Sequence, residues 1–280
     1  MVTLLSVSLA KDEFQAAEFV KQHLNSIGIE QARAAVKNRA AQGTVSFQLL
    51  NRGSGRQDGT QRLFSEGDRL VSFLKLPNPS YHGEWFVSDG RKTFVAELKP
   101  GVYSALGSFV RVHSEILTEG LWGGTLLTGW ALAHLDERSA RLEDRGLKKV
   151  DGRDLHRVDY VPKKRTDLEI QLYFEPDTSR HVMTVYLLTI GAGIARNDMQ
   201  TARQQDTHYR LEERFADFKS VDGLTLPQRW TIQFTSDVPE VSISGRTAFG
   251  AAIDTVSQFD VSETSISHNV TLDPKNFEVK

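Results

Sequence analysis

The chain of 280 residues carries 34 Lys and Arg against 36 Asp and Glu, which leaves a formal net charge of −2, and it contains no cysteine. This balance of charge argues against a nucleic-acid groove or a polybasic membrane surface, and the missing cysteines exclude disulfides and thiolate metal sites. A hydrophobic share of 39% excludes a disordered chain, and no apolar run reaches the roughly 18 residues that a transmembrane helix needs.

The first ten residues differ from the rest of the chain. They form a mostly apolar run that ends in small residues at the two positions that a signal peptidase reads, directly before a charged stretch. We interpret residues 1–10 as the remnant of a secretory signal peptide and residues 11–280 as one domain, which predicts a periplasmic protein. The alternative is a short N-terminal strand or tail.

Helical and strand patterns follow each other along the chain. Apolar side chains recur every three to four residues over 12–38, with an interruption at Gly28, which predicts an amphipathic helix followed by a shorter one. After Gly43 the hydrophobic period changes to two, as a half-buried strand requires. Similar runs predict that most of the remaining chain is strand, at residues 62–64, 70–76, 84–87, 93–98, 155–161, 168–174, 182–190, 208–219, 228–234 and 241–244.

Turn chemistry favours antiparallel order for these strands. Asp-Gly pairs tolerate the positive φ of tight hairpins, and four of them lie near the alternating runs, at Asp58-Gly59, Asp89-Gly90, Asp151-Gly152 and Asp222-Gly223. Residues 175–178 supply a fifth reversal. Parallel strands need crossover helices, which this pattern does not offer. We therefore predict a mainly β fold built on one large antiparallel sheet.

The middle of the chain, residues 106–135, departs from the strand pattern. It is too apolar for a solvated loop, and its glycines interrupt any single long helix. We interpret it as two short helices that pack against the sheet as a lid, with Leu117, Leu121, Trp122, Leu126, Leu127 and Trp130 as the closing residues. The alternative is a helical hairpin that completes an ordinary core, since periodicity does not separate the two.

The alternating strands also predict a ligand-binding face beneath this lid. The side chains expected to line one concave apolar face are Val45, Phe47, Leu49, Val71, Phe73, Trp85, Val87, Trp230, Ile232 and Phe234. A further alternating set that is expected to point inward consists of Leu168, Ile170, Leu172 and Phe174.

The search for catalytic motifs is negative. Gly191 and Gly193 follow a predicted strand, but Arg196 occupies the place of the third glycine of a dinucleotide fingerprint, and no βαβ unit surrounds them. The sequence has no phosphate-binding loop, zinc helix, EF-hand loop or nucleophile elbow, and its eight histidines are scattered. We therefore predict no enzymatic activity, no cofactor and no metal, and we interpret residues 191–207 as a mobile hairpin loop.

Several short segments resemble LolA-type outer-membrane lipoprotein-sorting proteins. Residues 85–95, WFVSDGRKTFV, are similar to the family's Val-Ser-Asp-Gly segment followed by an aromatic strand. Residues 150–155 together with 172–178 resemble its hairpin with an acidic turn. Residues 218–230 resemble the family's Val-Asp-Gly then Leu-Pro strand, and residues 269–277 resemble its closing strand. The order and spacing of these segments support the resemblance.

This resemblance, which spans roughly residues 12–278, implies an unclosed antiparallel β-barrel whose N-terminal and central helices cover an apolar cavity. LolA-type members carry acylated lipoproteins across the periplasm from an inner-membrane transporter to an outer-membrane receptor, whereas LolB-type receptors are lipid-anchored through an N-terminal cysteine. Because this chain has no cysteine, we expect a carrier of the LolA type rather than a receptor of the LolB type. Its expected partners are an acylated lipoprotein or lipid, such a transporter and such a receptor, and no nucleic acid.

One departure from the family concerns the lid. LolA proteins place an Arg-Pro pair at the end of an early strand, where the arginine ties down the lid, whereas here Leu76 precedes Pro77. Arg69 is the nearest substitute. The alternative function that stays open is an envelope sensor or binding module of the same architecture, which regulates a membrane partner.

Overall fold

The computed structural model describes residues 14–51, 55–98, 103–191, 206–238 and 253–279. Three sequence-based predictions lie wholly or mostly outside the described residues. They are the signal-peptide remnant at 1–10, the loop at 191–207 and the short strand at 241–244.

Strands make up most of the described chain. They are β1 (Asn38–Leu49), β2 (Gln57–Glu66), β3 (Arg69–Lys75), β4 (Gly83–Ser88), β5 (Thr93–Glu97), β6 (Arg141–Val150), β7 (Arg153–Val161), β8 (Glu169–Phe174), β9 (His181–Ile190), β10 (Thr207–Ala216), β11 (Lys219–Val221), β12 (Leu224–Leu226), β13 (Arg229–Val238) and β14 (Ile253–His268). One 12-stranded sheet has the order β5-β4-β3-β2-β1-β14-β13-β10-β9-β8-β7-β6, and β11 pairs with β12 separately. Neighbouring strands run antiparallel. Because β5 and β6 form the two edges of this order, the predicted fold, a mainly β protein with an unclosed antiparallel barrel, is confirmed.

Short helices precede the sheet and interrupt it between β5 and β6. They are α1 (Ala16–Ile27), α2 (Glu30–Ala34), α3 (Ala105–Val112), α4 (Glu115–Thr118) and α5 (Leu135–Arg138), with 3₁₀ turns at Gly124–Leu126, Ala131–His134 and Pro274–Phe277. The central segment is more broken than the two helices predicted from its sequence. Within the described ranges, no helix combines the length and apolar character needed to cross a membrane.

Three of the four Asp-Gly turn predictions are confirmed. Asp151 and Gly152, for example, have φ angles of 49° and 80° and connect β6 to β7. The turn predicted at Asp58-Gly59 is wrong, because both residues lie inside β2. A Cβ atom on Gly59 would meet the Lys75 carbonyl oxygen at 2.0 Å, so glycine serves a close approach of β3 at this position rather than a turn.

The sequence missed two strands of the 12-stranded sheet, β6 and β14, and predicted one strand that is absent. β6 carries mostly exposed side chains, so it shows no apolar alternation, and β14 was not predicted either. The closing strand expected at 269–277 is wrong, since β14 ends at His268. The side chain of Asp273 accepts the Lys275 N–H at the start of a 3₁₀ turn, and Pro274 has no N–H to donate to a sheet.

The two faces of the sheet are packed differently. The inner face is the one covered by α1, α3 and the central segment, and it holds the largest cluster of buried apolar side chains. The outer face has two smaller clusters. One is centred on Tyr173, Met183 and Val185, and the other is centred on Val71, Val87 and Phe277.

Candidate functional site

Six of the ten predicted ligand-binding residues lie on the inner face. Val45, Phe47, Trp230, Ile232 and Phe234 are buried in its cluster, and Leu49 packs against it half-buried. Strand pairing places them side by side, since Val45 opposes Val261, and Val261 opposes Trp230. The further set of Leu168, Ile170, Leu172 and Phe174 also lies in this cluster, as expected.

The remaining four predicted residues, Val71, Phe73, Trp85 and Val87, lie on the outer face, so their placement on the ligand face is wrong. They surround Phe277, and the rings of Phe73 and Trp85 stack with their centroids 5.3 Å apart. Both β3 and β4 carry large apolar side chains on each face, and alternation therefore does not reveal which set faces inward. The apolar inner residues of these strands are Leu70, Leu74 and Phe86.

Residues 115–134, the part of the predicted lid that we call the lid below, pack over the inner face. The six predicted lid residues have exposed fractions between 0% and 4% and belong to the inner-face cluster: Leu117, Leu121, Trp122, Leu126, Leu127 and Trp130. The Trp122 ring lies 4.7 Å from the Phe86 ring of β4 and 5.3 Å from the Trp230 ring of β13. The lid therefore reaches both halves of the sheet, and its own side chains fill the apolar interior.

A buried carboxyl of β10 holds the lid at Gly123. Glu213 has an exposed fraction of 0% and accepts the Gly123 N–H at 2.7 Å, the Trp230 Nε1–H at 2.9 Å and the Tyr186 hydroxyl at 2.9 Å. Burial raises the pKa of Glu213 to about 8, although these donors act in the opposite direction. Gly123 has a φ of 73°, in the left-handed region that favours glycine.

A buried arginine of β1 holds the next residues of the lid. Arg39 is 4% exposed and donates to the Thr125 carbonyl at 2.7 Å and to His268 Nε2 at 3.0 Å. Arg69, the substitute expected from the sequence, instead lies over the ring of Phe277 at 4.9 Å on the outer face. The signal that identifies Arg39 is a charged residue at an inner position of an apolar strand.

A buried histidine of α1 holds the C-terminal part of the lid. His23 Nε2 accepts the Trp130 indole N–H at 2.8 Å, and its Nδ1 lies 2.9 Å from the Ser179 carbonyl oxygen. Because that carbonyl needs a donor, Nδ1 carries the proton and the ring is neutral. Burial lowers the pKa of His23 to about 4, which keeps this arrangement intact at neutral pH.

Two further contacts join the lid to its surroundings. The Thr128 N–H donates to Ser65 Oγ of β2 at 3.0 Å. Arg138 donates to the carbonyl oxygens of Thr118 at 2.8 Å and Gly129 at 3.1 Å. The lid is thus held at separate points by hydrogen bonds, while apolar packing fills the space between them.

An apolar groove of about 300 Å³ opens beside α3. Its lining includes Phe109, Val112, His113, Leu188, Ile190 and Tyr209. Val112 and Ile190 are 67% and 51% exposed, whereas the Phe109 ring lies 5.2 Å from that of Phe234 on the inner face. The groove therefore leads from solvent towards the inner-face cluster.

Several ionisable groups are buried on the inner face. Among the described residues, no group of three or more His, Asp or Glu side chains is suited to hold a metal ion. Burial raises the pKa of Glu84 to about 7 and that of Glu263 to about 8. These carboxyls are therefore largely or partly protonated at neutral pH.

Comparison with known proteins gives matches at the level of structure. No protein-family model matches the sequence, and no curated protein matches it. A DUF1329 family protein from Desulfovibrio piger is 14% identical, with a TM-score of 0.48 over 94% of this chain and 97% of that one. A LolA superfamily protein from Nitrosomonas europaea is 12% identical, with a TM-score of 0.48 over 95% and 99%. A putative outer membrane lipoprotein-sorting protein domain from Vibrio parahaemolyticus is 13% identical, with a TM-score of 0.45 over 94% and 97%.

Proposed function

We propose that the protein is a periplasmic carrier that binds the acyl chains of lipoproteins or lipids on the inner face of its half-barrel and transfers them towards the outer membrane. The observation that supports this proposal most is the closure of the inner face by one segment. The lid supplies the apolar side chains that fill the interior, and it is held to the sheet and to α1 by separate hydrogen bonds. When the lid swings away, it exposes an apolar surface that suits an acyl chain.

The energetics require such a lid. Each buried methylene contributes roughly 0.8 kcal/mol, so a chain of about 15 such groups gains up to about 12 kcal/mol. A carrier with that affinity would not release its cargo. In the closed state the leucines and tryptophans of the lid already occupy the interior. The ligand must displace them, which lowers its apparent affinity by the free energy of opening.

The groove beside α3 suits the entry of an acyl chain. Its exposed rim at Val112 and Ile190 is apolar, and its floor reaches Phe109 and thereby the inner face. We propose binding and release without catalysis. The transporter and receptor that would deliver and accept the cargo are part of this proposal.

A matched pair of substitutions on β1 and β3 tests the ligand face. Phe47 is buried on the inner face, whereas Phe73 lies on the outer face. Phe47→Glu places a charge where the chain would bind, and we expect it to weaken the binding of a fluorescent fatty acid at least about tenfold. Phe73→Glu should bind like the parent. If Phe47→Glu folds and binds as well as the parent, the interior is an ordinary solid core.

Native cargo separates the carrier from the alternative function. We expect acyl lipid or acylated lipoprotein to co-purify with the protein from its own envelope, as measured by mass spectrometry of the extracted material. A stable complex with a membrane protein that contains no bound lipid would favour the sensor or binding module.

A further inference from the structure

The inner face contains a polar row beneath the lid. Strand pairing aligns Glu263 of β14 with Gly43 of β1, Gly43 with Gln61 of β2, and Gln61 with Leu74 of β3. Gly43 has no side chain, and a Cβ atom there would meet the Ser262 carbonyl oxygen of β14 at 2.1 Å. The glycine therefore allows a close approach of β14, and β1 places no side chain between Gln61 and Glu263. Adjacent strands lie about 4.8 Å apart, so roughly two strand spacings separate the backbone positions that carry these two polar side chains.

These polar side chains are buried without partners. Gln61 is 1% exposed, and neither Nε2 nor Oε1 forms a hydrogen bond within the described part of the chain. Glu263 is 8% exposed, and both of its carboxyl oxygens also lack a partner there. A buried polar group without a partner is unfavourable, and such groups are few in native proteins. Two of them on either side of one glycine indicate that a polar species belongs between them.

Trp122 of the lid covers this row. Its ring contacts Phe86 and Trp230. Strand pairing places Phe86 on one side of the polar row and Trp230 on the other side. A Cβ on the following residue, Gly123, would lie 3.8 Å from the side chain of Leu63, the inner neighbour of Gln61 on β2. The indole N–H of Trp122 is buried and unpartnered as well. The chamber, which we define by Gly43, Gln61, Glu263 and Trp122, therefore has unpartnered polar groups in its walls and in its roof.

The chemistry of the chamber specifies its ligand. Trp122 Nε1 and Gln61 Nε2 donate, and Gln61 Oε1 accepts. Burial raises the pKa of Glu263 to about 8, so at neutral pH its carboxyl is protonated and also donates. The matching ligand group has carbonyl oxygens that accept these bonds and a hydroxyl or N–H that donates one.

Charged groups fit this chamber less well. Arg39 is the only arginine among the buried inner-face residues that the structure describes, and it already donates to Thr125 and His268. An anion would therefore lie beside Glu263 without a counter-charge. An ammonium group accepts no hydrogen bond, and it would leave the donors of Trp122 and Gln61 unpaired.

We propose that this chamber binds the neutral ester or amide linkage of an acylated ligand, together with an adjacent hydroxyl or N–H. The inference rests on the proposed binding of acyl chains and adds the class of head that the chain carries. Gln61 and Glu263 hold the linkage from both sides, Trp122 donates from the lid, and the acyl chain extends along the apolar inner face.

The test compares three ligands with the same chain and different heads: monoolein, oleate and oleylamine. Each displaces a fluorescent fatty acid from the full chain at pH 7. We expect monoolein to bind about tenfold more tightly than either charged ligand, since one or two hydrogen bonds are at stake. Gln61→Leu and Glu263→Leu should each remove most of this preference. Glu263→Gln should keep it, because an amide also donates and accepts. Thr60→Leu, at an exposed position next to Gln61, is the matched control and should leave the preference unchanged.

The possible failures are distinguishable. If all three ligands bind equally and the leucine variants bind like the parent, the chamber holds only water, and this inference is overturned while acyl binding stands. Tighter binding of oleate or oleylamine than of monoolein would overturn the proposal that the ligand has a neutral head. If none of the ligands binds and no probe enters, both this inference and the proposed function are overturned.

Discussion

Two carboxyls on the same inner face differ in their surroundings. Burial raises the pKa of both Glu213 and Glu263 to about 8. Glu213 accepts hydrogen bonds from Gly123, Trp230 and Tyr186, whereas neither oxygen of Glu263 has a partner within the described residues. The Glu213 carboxyl therefore stabilises the closed state of the ligand-free protein. In our proposal, the Glu263 carboxyl gains hydrogen-bond partners only when a ligand occupies the chamber.

Removing each carboxyl should give the largest contrast. Glu213→Leu leaves three buried donors without an acceptor, at about 1–3 kcal/mol each before relaxation, and we expect the free energy of unfolding to fall by about 3 kcal/mol or more. Glu263→Leu removes a group that is already unpartnered, so it should stay within about 1 kcal/mol of the parent or become more stable. Urea denaturation of the ligand-free variants measures both. Equal losses in the two variants would show that Glu263 has a partner in the empty protein.

The pH dependence of stability should report the same carboxyls. A carboxyl whose pKa is raised in the folded state stabilises the fold fully below its unfolded value near 4.5, and this contribution is lost as the pH rises through about 8. His23 acts in the opposite sense, because its lowered pKa gives a contribution that is lost as the pH falls towards about 4. We expect maximal stability near pH 4.5 and a decline between about pH 5 and 8, because the two carboxyls outweigh His23 in this range. Glu213→Gln and Glu263→Gln should each flatten this decline in thermal unfolding; an unchanged slope in both would contradict the assignment.

The two lid tryptophans provide a smaller contrast of the same kind. Trp130 donates its indole N–H to His23, whereas the indole N–H of Trp122 is unpartnered. Changing either residue to Phe removes similar apolar volume, but only Trp130→Phe breaks a hydrogen bond. We expect Trp130→Phe to cost about 1 kcal/mol more than Trp122→Phe in the ligand-free protein. The order should reverse when monoolein is bound, because Trp122 then has a partner to lose.

The sequence predicted the sheet better than the faces of its strands. Alternation was sufficient on β13, where Trp230, Ile232 and Phe234 point inward, because polar residues separate them. It failed at Phe73 and Trp85, since β3 and β4 are apolar on both faces and the C-terminal turn with Phe277 covers the outer one.

Sequence patterns did not reveal the polar part of the site. Glu213, Gln61 and Glu263 look like ordinary polar positions in an alternating strand, and only cross-strand register shows that they point inward. The packing of the lid residues against the sheet was predicted from their composition, but the hydrogen bonds that hold them join positions far apart in the chain. Arg39 and Thr125, for example, are 86 residues apart.

Locking the lid to the sheet tests the central claim, that an acyl ligand enters by displacing the lid. Ser65 of β2 and Thr128 of the lid are already in hydrogen-bond contact at 3.0 Å, and the chain has no cysteine of its own. In the Ser65→Cys/Thr128→Cys variant, we expect oxidation to abolish binding of the fluorescent fatty acid and reduction to restore it to the level of the parent. If the oxidised variant, with its disulfide confirmed by mass spectrometry, binds the probe as well as the reduced one, the lid does not open for the ligand and the account is wrong.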